Sequence, residues 1–497
     1  MFTPRSRRVC AMALGLVLAT TSAQVHSALA TWCEATTDKY QIVTDLREGE
    51  LQALLNKLES FREIAQEYLP GSAAKNPRPL KMVIFENRRD FLRLMKTPKF
   101  AGFMQPSLLT NTLAIGPGRG NQDLHTTALH EYSHYLLRNR LDVSLPLWFD
   151  EGLANFLSAM KFTTTTVEIG KLPRGRMQTL SRLDRWQTER LAITALSNVS
   201  LQQVLEADSV LDWSAGRLAA FYDWSWLTTH YLLFGIEDRS AALTEYLATG
   251  SVPLIEYLDT SYKDFHKILN RHASTRTPSR ILRRSPGTGP SYAYHCLDDA
   301  ARDYQLSLVT LLHNPKGAAE LLEPHIAASP DSIKLLVAMA NAQAHLDNPA
   351  QARRLLEHAR EIAPGDIDAI LALANLTTGE CLFEQHDDCP GIWRDAVSTY
   401  RNALAVDHDR FDAAVGLGLS YLYSGRPGEA VNYLRVVYGA MPWSVPVNFY
   451  LGESYRLIGD SRARIYLSNA HNWAQNEFWR RIAEVAITRI DEPDAAL

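Results

Sequence analysis

Apolar positions in residues 31–122 follow two different periods, which predicts a segment of mixed α and β structure. Residues 40–44 (YQIVT) alternate like a short strand, and apolar residues recur at helical spacing over residues 46–68, up to a Pro-Gly turn signal. Residues 81–85 (KMVIF) and 113–115 (LAI) have the composition of strands. The pattern therefore predicts three short strands and one long helix.

Residues 123–270 have mainly helical periodicity, and the composition changes after them. Their first predicted helix covers residues 123–139. From His272 to Pro290 the chain is rich in Pro, Ser, Gly and Arg, which is typical of a linker. We therefore predict a linker over residues 271–297. A docking patch is the alternative role for its arginines.

The chain repeats itself over residues 298–490. A 34-residue frame beginning at Ile333 occurs three times in register, with one insertion that contains Cys381 and Cys389. Small residues recur at two places of the frame, and they are Ala340, Ala352, Ala374, Ala396, Gly418 and Ala430. Small residues let two antiparallel helices approach closely. The pattern resembles the tetratricopeptide repeat, which implies an all-α solenoid whose concave face binds peptides or partner proteins.

Composition and charge narrow the class of protein. Hydrophobic residues make up 46% of the chain and charged residues 21%, as in an ordinary globular protein, so a mostly disordered chain is excluded. The net charge is −4 and no long run of like charge occurs, so we expect no nucleic-acid partner.

The first 30 residues have the features of a secretory signal peptide. Three arginines precede an apolar stretch at residues 9–20, and residues 28–30 (ALA) offer a cleavage site. No other segment reaches the length of a membrane span, so we expect no transmembrane segment after signal removal. We predict an exported protein, periplasmic or secreted. A buried N-terminal helix or a retained anchor stays the alternative.

Four cysteines follow the predicted signal peptide. Cys381 and Cys389 lie eight residues apart, so a local disulfide between them is the favoured pairing. Cys33 would then pair with Cys296. Free thiols are the alternative, which an oxidising compartment disfavours.

The motif His130-Glu131-Tyr132-Ser133-His134 lies inside the helix predicted over residues 123–139. Two histidines four residues apart share one helical face, so both imidazoles can reach one metal ion. Glu131 lies next to the first ligand and is the candidate general base. One Zn²⁺ ion suits such a site because zinc tolerates an open coordination position. An ordinary surface helix with two histidines is the alternative.

The segment LWFDEGLANF begins 13 residues after His134. It resembles the gluzincin metallopeptidases, most closely the peptidase MA-like family, in which the following helix supplies the third zinc ligand. The resemblance implies that Glu151 is that ligand, with Asp150 as the competing carboxylate. It also implies that Gly152 leaves space for helix packing and that Asn155 orients a ligand histidine.

The same resemblance suggests two further site elements. Tyr222, just before an apolar helical stretch, matches a tyrosine that donates a hydrogen bond to the oxyanion, although Asp-Trp-Ser follows it here in place of Glu-Lys-Gly. A core tyrosine is the alternative. Leu113, Ala114 and Ile115 match the edge strand that pairs with extended substrate, and a purely structural strand is the alternative.

Together these features predict an α+β zincin-like domain over residues 31–270, with a small sheet, active-site helices and a helical subdomain, followed by the repeat solenoid. The expected function is that of an exported zinc peptidase, an endopeptidase in the simplest case, that acts on peptide or unfolded-protein substrates. Its repeats would bind substrate or a protein partner. Two alternatives stay open. One is a non-catalytic repeat adaptor with a vestigial zincin domain, and the other is a zinc amidase acting on cell-wall peptides.

Overall fold

The computed structural model describes most of the chain after the predicted signal peptide. The described ranges are 31–71, 79–96, 101–106, 111–118, 123–140, 145–172, 199–210, 213–249, 252–274, 278–284, 289–383, 387–442, 444–474 and 477–491. The signal peptide predicted at residues 1–30 lies outside them. Within these ranges no helix combines the length and the apolar character needed to cross a bilayer.

A six-stranded mixed sheet forms the centre of the N-terminal part. Its strands are β1 (Cys33–Thr36), β2 (Tyr40–Thr44), β3 (Leu80–Ile84), β4 (Gly102–Pro106), β5 (Asn111–Ile115) and β9 (Ala293–Cys296). The spatial order is β4-β5-β3-β2-β1-β9. The pairs β2–β3 and β3–β5 are parallel, and the other pairs are antiparallel. The three strands predicted from the sequence are β2, β3 and β5.

Helices cover both faces of this sheet because its central strands are apolar on both sides. The helices of the N-terminal part are α1 (Glu48–Ala65), α2 (Arg88–Met95), α3 (Leu124–Arg138), α4 (Leu147–Ser158), α5 (Leu201–Leu205), α6 (Ala215–Phe234), α7 (Ser240–Thr249), α8 (Leu254–Tyr257) and α9 (Tyr262–Ser274). Ile42, Met82 and Leu113 share one core with α1 and α3. Val83 and Ala114 face the opposite side, where α2 packs.

A smaller antiparallel sheet accompanies α4–α9. Its strands are β6 (Lys161–Phe162), β7 (Thr166–Ile169) and β8 (Arg280–Arg283), in the order β6-β7-β8. Both β8 and β9 lie in the segment that the sequence predicts to be a linker, and they pair with β7 and β1. The linker prediction is therefore wrong for these residues. Their side chains are mostly exposed, so they lack the apolar alternation that reveals a half-buried strand.

A helical solenoid fills the C-terminal part. Its helices are α10 (Asp299–Thr310), α11 (Pro315–Ala328), α12 (Ile333–His345), α13 (Pro349–Ile362), α14 (Ile367–Phe383), α15 (Cys389–Val406), α16 (Phe411–Tyr423), α17 (Pro427–Ala440), α18 (Val445–Leu457), α19 (Ala463–Trp473) and α20 (Glu477–Asp491). Neighbours along the chain pack together. At Gly418 an added Cβ would lie 2.7 Å from Leu434 Cγ on the next helix, which explains the small residue at that place of the repeat.

Two disulfides are present in the described residues. Cys381 and Cys389 join the end of α14 to the start of α15, which is the pairing favoured from the sequence. Cys33 and Cys296 lie opposite each other on β1 and β9. The second disulfide therefore fastens the first strand of the sheet to the segment that leads into the solenoid.

Candidate metal centre

Helix α3 presents the His-Glu-x-x-His motif from a firmly packed support. It begins after Asp123, whose side chain accepts a hydrogen bond of 2.6 Å from the Thr126 amide, so the first turn is capped. On its inner side the Tyr132 hydroxyl is 2.9 Å from that of Tyr40 on β2, and both rings are buried. The helix agrees with the prediction over residues 123–139.

The two histidines of the motif bring one nitrogen each to a common point. His130 Nε2 and His134 Nε2 are 3.3 Å apart. This approach follows from their positions one helical turn apart on the same face. His134 is buried, and His130 is half-buried.

Helix α4 brings a carboxylate to the same point. Glu151 Oε2 lies 3.4 Å from His130 Nε2 and 3.7 Å from His134 Nε2. A Cβ added to the neighbouring Gly152 would lie 2.8 Å from the carbonyl carbon of Ser225, so α4 approaches α6 too closely for any larger residue. This close contact between α4 and α6 therefore determines how near Glu151 lies to the two histidines.

The donor set fits a zinc ion. Ligand atoms about 2.0–2.1 Å from a tetrahedral zinc lie about 3.3–3.4 Å from one another, close to the observed separations of 3.3 to 3.7 Å. Glu151 Oε2 is fully buried and accepts no hydrogen bond from the described residues. A buried carboxylate oxygen without a donor is costly, and a cation at this point would satisfy it. In the part of the chain that the structure describes, His130, His134 and Glu151 are the group that can hold a metal ion.

Asp150 contacts the ligand His134 through the ring nitrogen that does not face the other ligands. Its Oδ1 is 2.7 Å from His134 Nδ1, so the carboxylate accepts a hydrogen bond from Nδ1–H and leaves Nε2 as the ring nitrogen that faces the other ligands. Burial lowers the pKa of His134, but the carboxylates of Asp150 and Glu151 outweigh burial and raise that pKa to about 10. The imidazoles in turn hold the pKa of Glu151 well below its usual range, against the effect of burial.

The structure corrects the role expected of Asn155. Its side-chain amide donates a hydrogen bond of 2.9 Å to the carbonyl oxygen of Glu151, one turn earlier in α4. It therefore steadies the backbone at a ligand, and the contact with a ligand histidine belongs to Asp150. The sequence signal that could have identified this contact was the adjacent acidic pair Asp150 and Glu151. Asp150 was considered only as a competing zinc ligand.

Glu131 lies beside the sheet edge. A Cβ added to Gly102 on β4 would lie 2.6 Å from Glu131 Cγ and 3.0 Å from Oε1, so the side chain passes directly over this glycine. The contact places the candidate base between the ligand histidines of α3 and strand β4. Gly102 was not among the predicted site residues, because nothing within the motif points to it.

Tyr222 lies within α6, one turn before Ser225, and not ahead of the helix as the sequence suggested. Because Ser225 contacts Gly152, the face of α6 that carries Tyr222 is the face that meets α4. The tyrosine is half-buried and packs against the main core. Its role as oxyanion donor stays a prediction.

The substrate strand expected at Leu113, Ala114 and Ile115 needs correction. These residues belong to β5, which pairs with β3 on one side and β4 on the other, and all three are fully buried. Their backbone groups are therefore used within the sheet. Among the described strands, the edge on this side is β4, whose outer side is the one open to an added strand. Only the pairing of the two strands reveals which of them is the edge.

Comparison with known proteins concerns the repeats. The family model described as "Tetratricopeptide repeat" matches residues 311–376, so the chain contains repeats of this type. No curated protein matches. Three solved structures are similar. The thermophilic TPR protein TTC0263 of Thermus thermophilus is 18% identical, over 37% of this chain and 97% of that one, with a TM-score of 0.32. MamA of AMB-1 is 16% identical, over 35% and 99%, with a TM-score of 0.27. YrrB, described as a TPR protein with an unusual peptide-binding site, is 13% identical, over 37% and 92%, with a TM-score of 0.27.

Proposed function

We propose that this chain is a zinc-dependent peptidase whose repeat array binds a protein substrate or partner. The observation that carries the proposal is the convergence of His130, His134 and Glu151, with a buried carboxylate oxygen that has no hydrogen-bond donor among the described residues. A structural zinc site would have a fourth protein ligand. Within the described ranges the group has three, which leaves a position for chemistry.

The residues divide the work as follows. When bound, a zinc ion supplies Lewis acidity, which makes a water molecule more acidic and polarises the carbonyl group under attack. Glu131 is placed to take the proton of the attacking water and to pass it to the leaving amine. Asp150 holds His134 in the tautomer that directs Nε2 inward. Tyr222 is the candidate donor to the oxyanion.

Extended peptide substrates suit this site because β4 offers an open strand edge next to Glu131. A peptide that adds to β4 as a further strand would carry its backbone past the ligand group. The substrate-binding role expected of β5 thus moves to its neighbour. Export to the periplasm or the exterior is part of the proposal and rests on the N-terminal sequence alone.

Metal analysis of the purified protein tests the proposal first. We expect near-stoichiometric zinc by mass spectrometry in the wild type and little in His130→Ala and Glu151→Ala. Glu131→Gln is the matched variant, because it keeps the three ligands and removes the base. We expect it to retain zinc and to cleave fluorescein-labelled casein at least about 100-fold more slowly than the wild type. A folded wild type that binds no zinc would refute the peptidase.

A non-catalytic adaptor is the second candidate function, and the match of residues 311–376 to the tetratricopeptide repeat favours it. Such an adaptor would use its solenoid to bind a protein partner, with the zinc group left as a structural element. The same variants separate the two functions. An adaptor predicts that Glu131→Gln changes no measurable rate on casein. Activity on muropeptides in place of casein would indicate the zinc amidase instead.

A further inference from the structure

Strand β4 lies between the candidate base and the first helical hairpin of the solenoid. It pairs with β5 along one side, with Gly102 opposite Ile115 and Phe103 opposite Ala114. Successive residues of a strand face opposite sides of the sheet. Gly102 meets Glu131 on one side, at the distance of 2.6 Å that an added Cβ would have from Glu131 Cγ. Phe103 therefore faces the other side.

On that other side Phe103 meets the solenoid. Its ring centroid is 4.2 Å from that of His313, which lies in the turn between α10 and α11. The next residue, Asn314, donates a side-chain hydrogen bond of 3.0 Å to the carbonyl oxygen of Leu94, near the end of α2. The turn is thus attached to the N-terminal part at two adjacent points, one of which is β4.

Helix α10 packs into the core on this side of the sheet. Leu306 and Val309 are buried in one cluster with Val83 and Ala114 of the sheet. Lys81 on β3 donates a hydrogen bond of 2.5 Å to Gln305 Oε1. The first hairpin of the solenoid therefore packs directly against the sheet, and its connection to the N-terminal part is more than a linker.

We propose that the first hairpin of the solenoid positions Glu131 through β4. Gly102 and Phe103 share a rigid peptide unit, so a displacement of His313 that moves Phe103 also moves the backbone against which Glu131 rests. A protein that binds the repeats and displaces the α10–α11 turn would therefore also shift the position of Glu131. Gly102, Phe103 and His313 are positioning residues in this scheme. Its catalytic consequence rests on the proposed peptidase function.

Three variants of the full chain test this coupling. His313→Ala removes the ring that contacts Phe103. Gly102→Ala adds a methyl group that displaces the flexible side chain of Glu131 and needs no movement of backbone. Gln305→Ala is the control, since it removes a contact between the same helix α10 and the internal strand β3. The measurements are hydrogen exchange of the β4 amides by mass spectrometry, bound zinc, and kcat and KM on fluorescein-labelled casein.

We expect His313→Ala to speed β4 exchange by about three- to tenfold, the loss of one aromatic contact, while Gln305→Ala leaves it unchanged. Gly102→Ala should retain zinc and KM within about twofold and lower kcat by about tenfold or more, because an error of about 1 Å at the base is costly. Wild-type exchange of β4 in His313→Ala would overturn the proposal, whether or not casein is cleaved. An unchanged kcat in Gly102→Ala would overturn it as well. A wild type that cleaves no casein counts against the peptidase, and the exchange measurement still decides the coupling.

Discussion

Gly152→Ala is the substitution by which the architecture of the site can be tested most directly. The added Cβ would lie 2.8 Å from the Ser225 carbonyl carbon, about 0.6 Å short of the 3.4 Å at which ordinary contacts begin. The obstacle is backbone of α6, so a side-chain rotation cannot relieve it. Overpacking of this kind costs about 1–3 kcal/mol in the free energy of unfolding.

Relief of that clash requires α4 to move away from α6, and Glu151 moves with α4. Zinc sites tolerate errors of only about 0.2 Å in ligand distance, so we expect the zinc Kd to rise at least about tenfold, or about 1.4 kcal/mol. The assay has two parts. Competition with a chromophoric chelator gives the zinc Kd, and denaturant unfolding of the metal-free protein gives the stability separately.

Gly216→Ala is the matched control. Gly216 lies in the first turn of α6 and has no atom within 4 Å of an added Cβ. We expect this change to raise stability by up to about 1 kcal/mol, since alanine favours a helix more than glycine does, and to leave the zinc Kd unchanged. If Gly152→Ala binds zinc as tightly as Gly216→Ala and unfolds at the wild-type denaturant concentration, the contact between α4 and α6 does not set the position of Glu151.

Three further predictions concern residues around the site and the core. Asp150→Asn should weaken zinc binding by about 10- to 100-fold in the chelator assay, because His134 loses its carboxylate partner, and an unchanged Kd would contradict this. Burial lowers the pKa of His230 to about 4. Between about pH 6.5 and pH 4 the unfolded chain therefore binds a proton at this histidine that the folded chain does not bind. Stability should therefore fall by up to about 3 kcal/mol as the pH drops from about 6.5 to 4, measured by urea unfolding, with a shallower fall in His230→Asn. Cys33→Ser opens the disulfide to Cys296, which closes a loop of 263 residues, and should lower the unfolding free energy by about 5 kcal/mol in denaturant titrations, whereas an unchanged midpoint would count against it.

The local parts of the site were predictable because a helix fixes them by itself. His130 and His134 must share a face of α3, since residues four apart in a helix always do. Helical periodicity predicted this helix, and the structure adds that Asp123 caps its first turn. The repeats were predictable for the same reason, because each hairpin is built from residues close together in the chain and the pattern recurs.

Predictions were wrong where the role of a residue or segment depends on contacts with residues far away in the sequence. Asp150 and Asn155 lie within one turn and a half of the same helix, and only the direction in which α4 crosses α3 decides which of them reaches His134. The predicted linker contains β9, whose partner β1 lies about 260 residues earlier. Its exposed side chains gave no apolar pattern, so the sequence alone offered no reason to expect a strand.

Spacing and periodicity are local properties, and they were enough to predict the histidine pair, the helix that carries it, the repeat type and the Cys381–Cys389 disulfide. Glu151 was implied only by the resemblance of its segment to a peptidase family, and the Cys33–Cys296 pair followed by elimination. The three-dimensional structure was needed to show that β4 and not β5 is the edge strand, that Gly102 contacts Glu131, and that the solenoid packs against the sheet. These features depend on strand order and on contacts between distant segments. Such contacts are set by how the whole core packs, which no local pattern encodes.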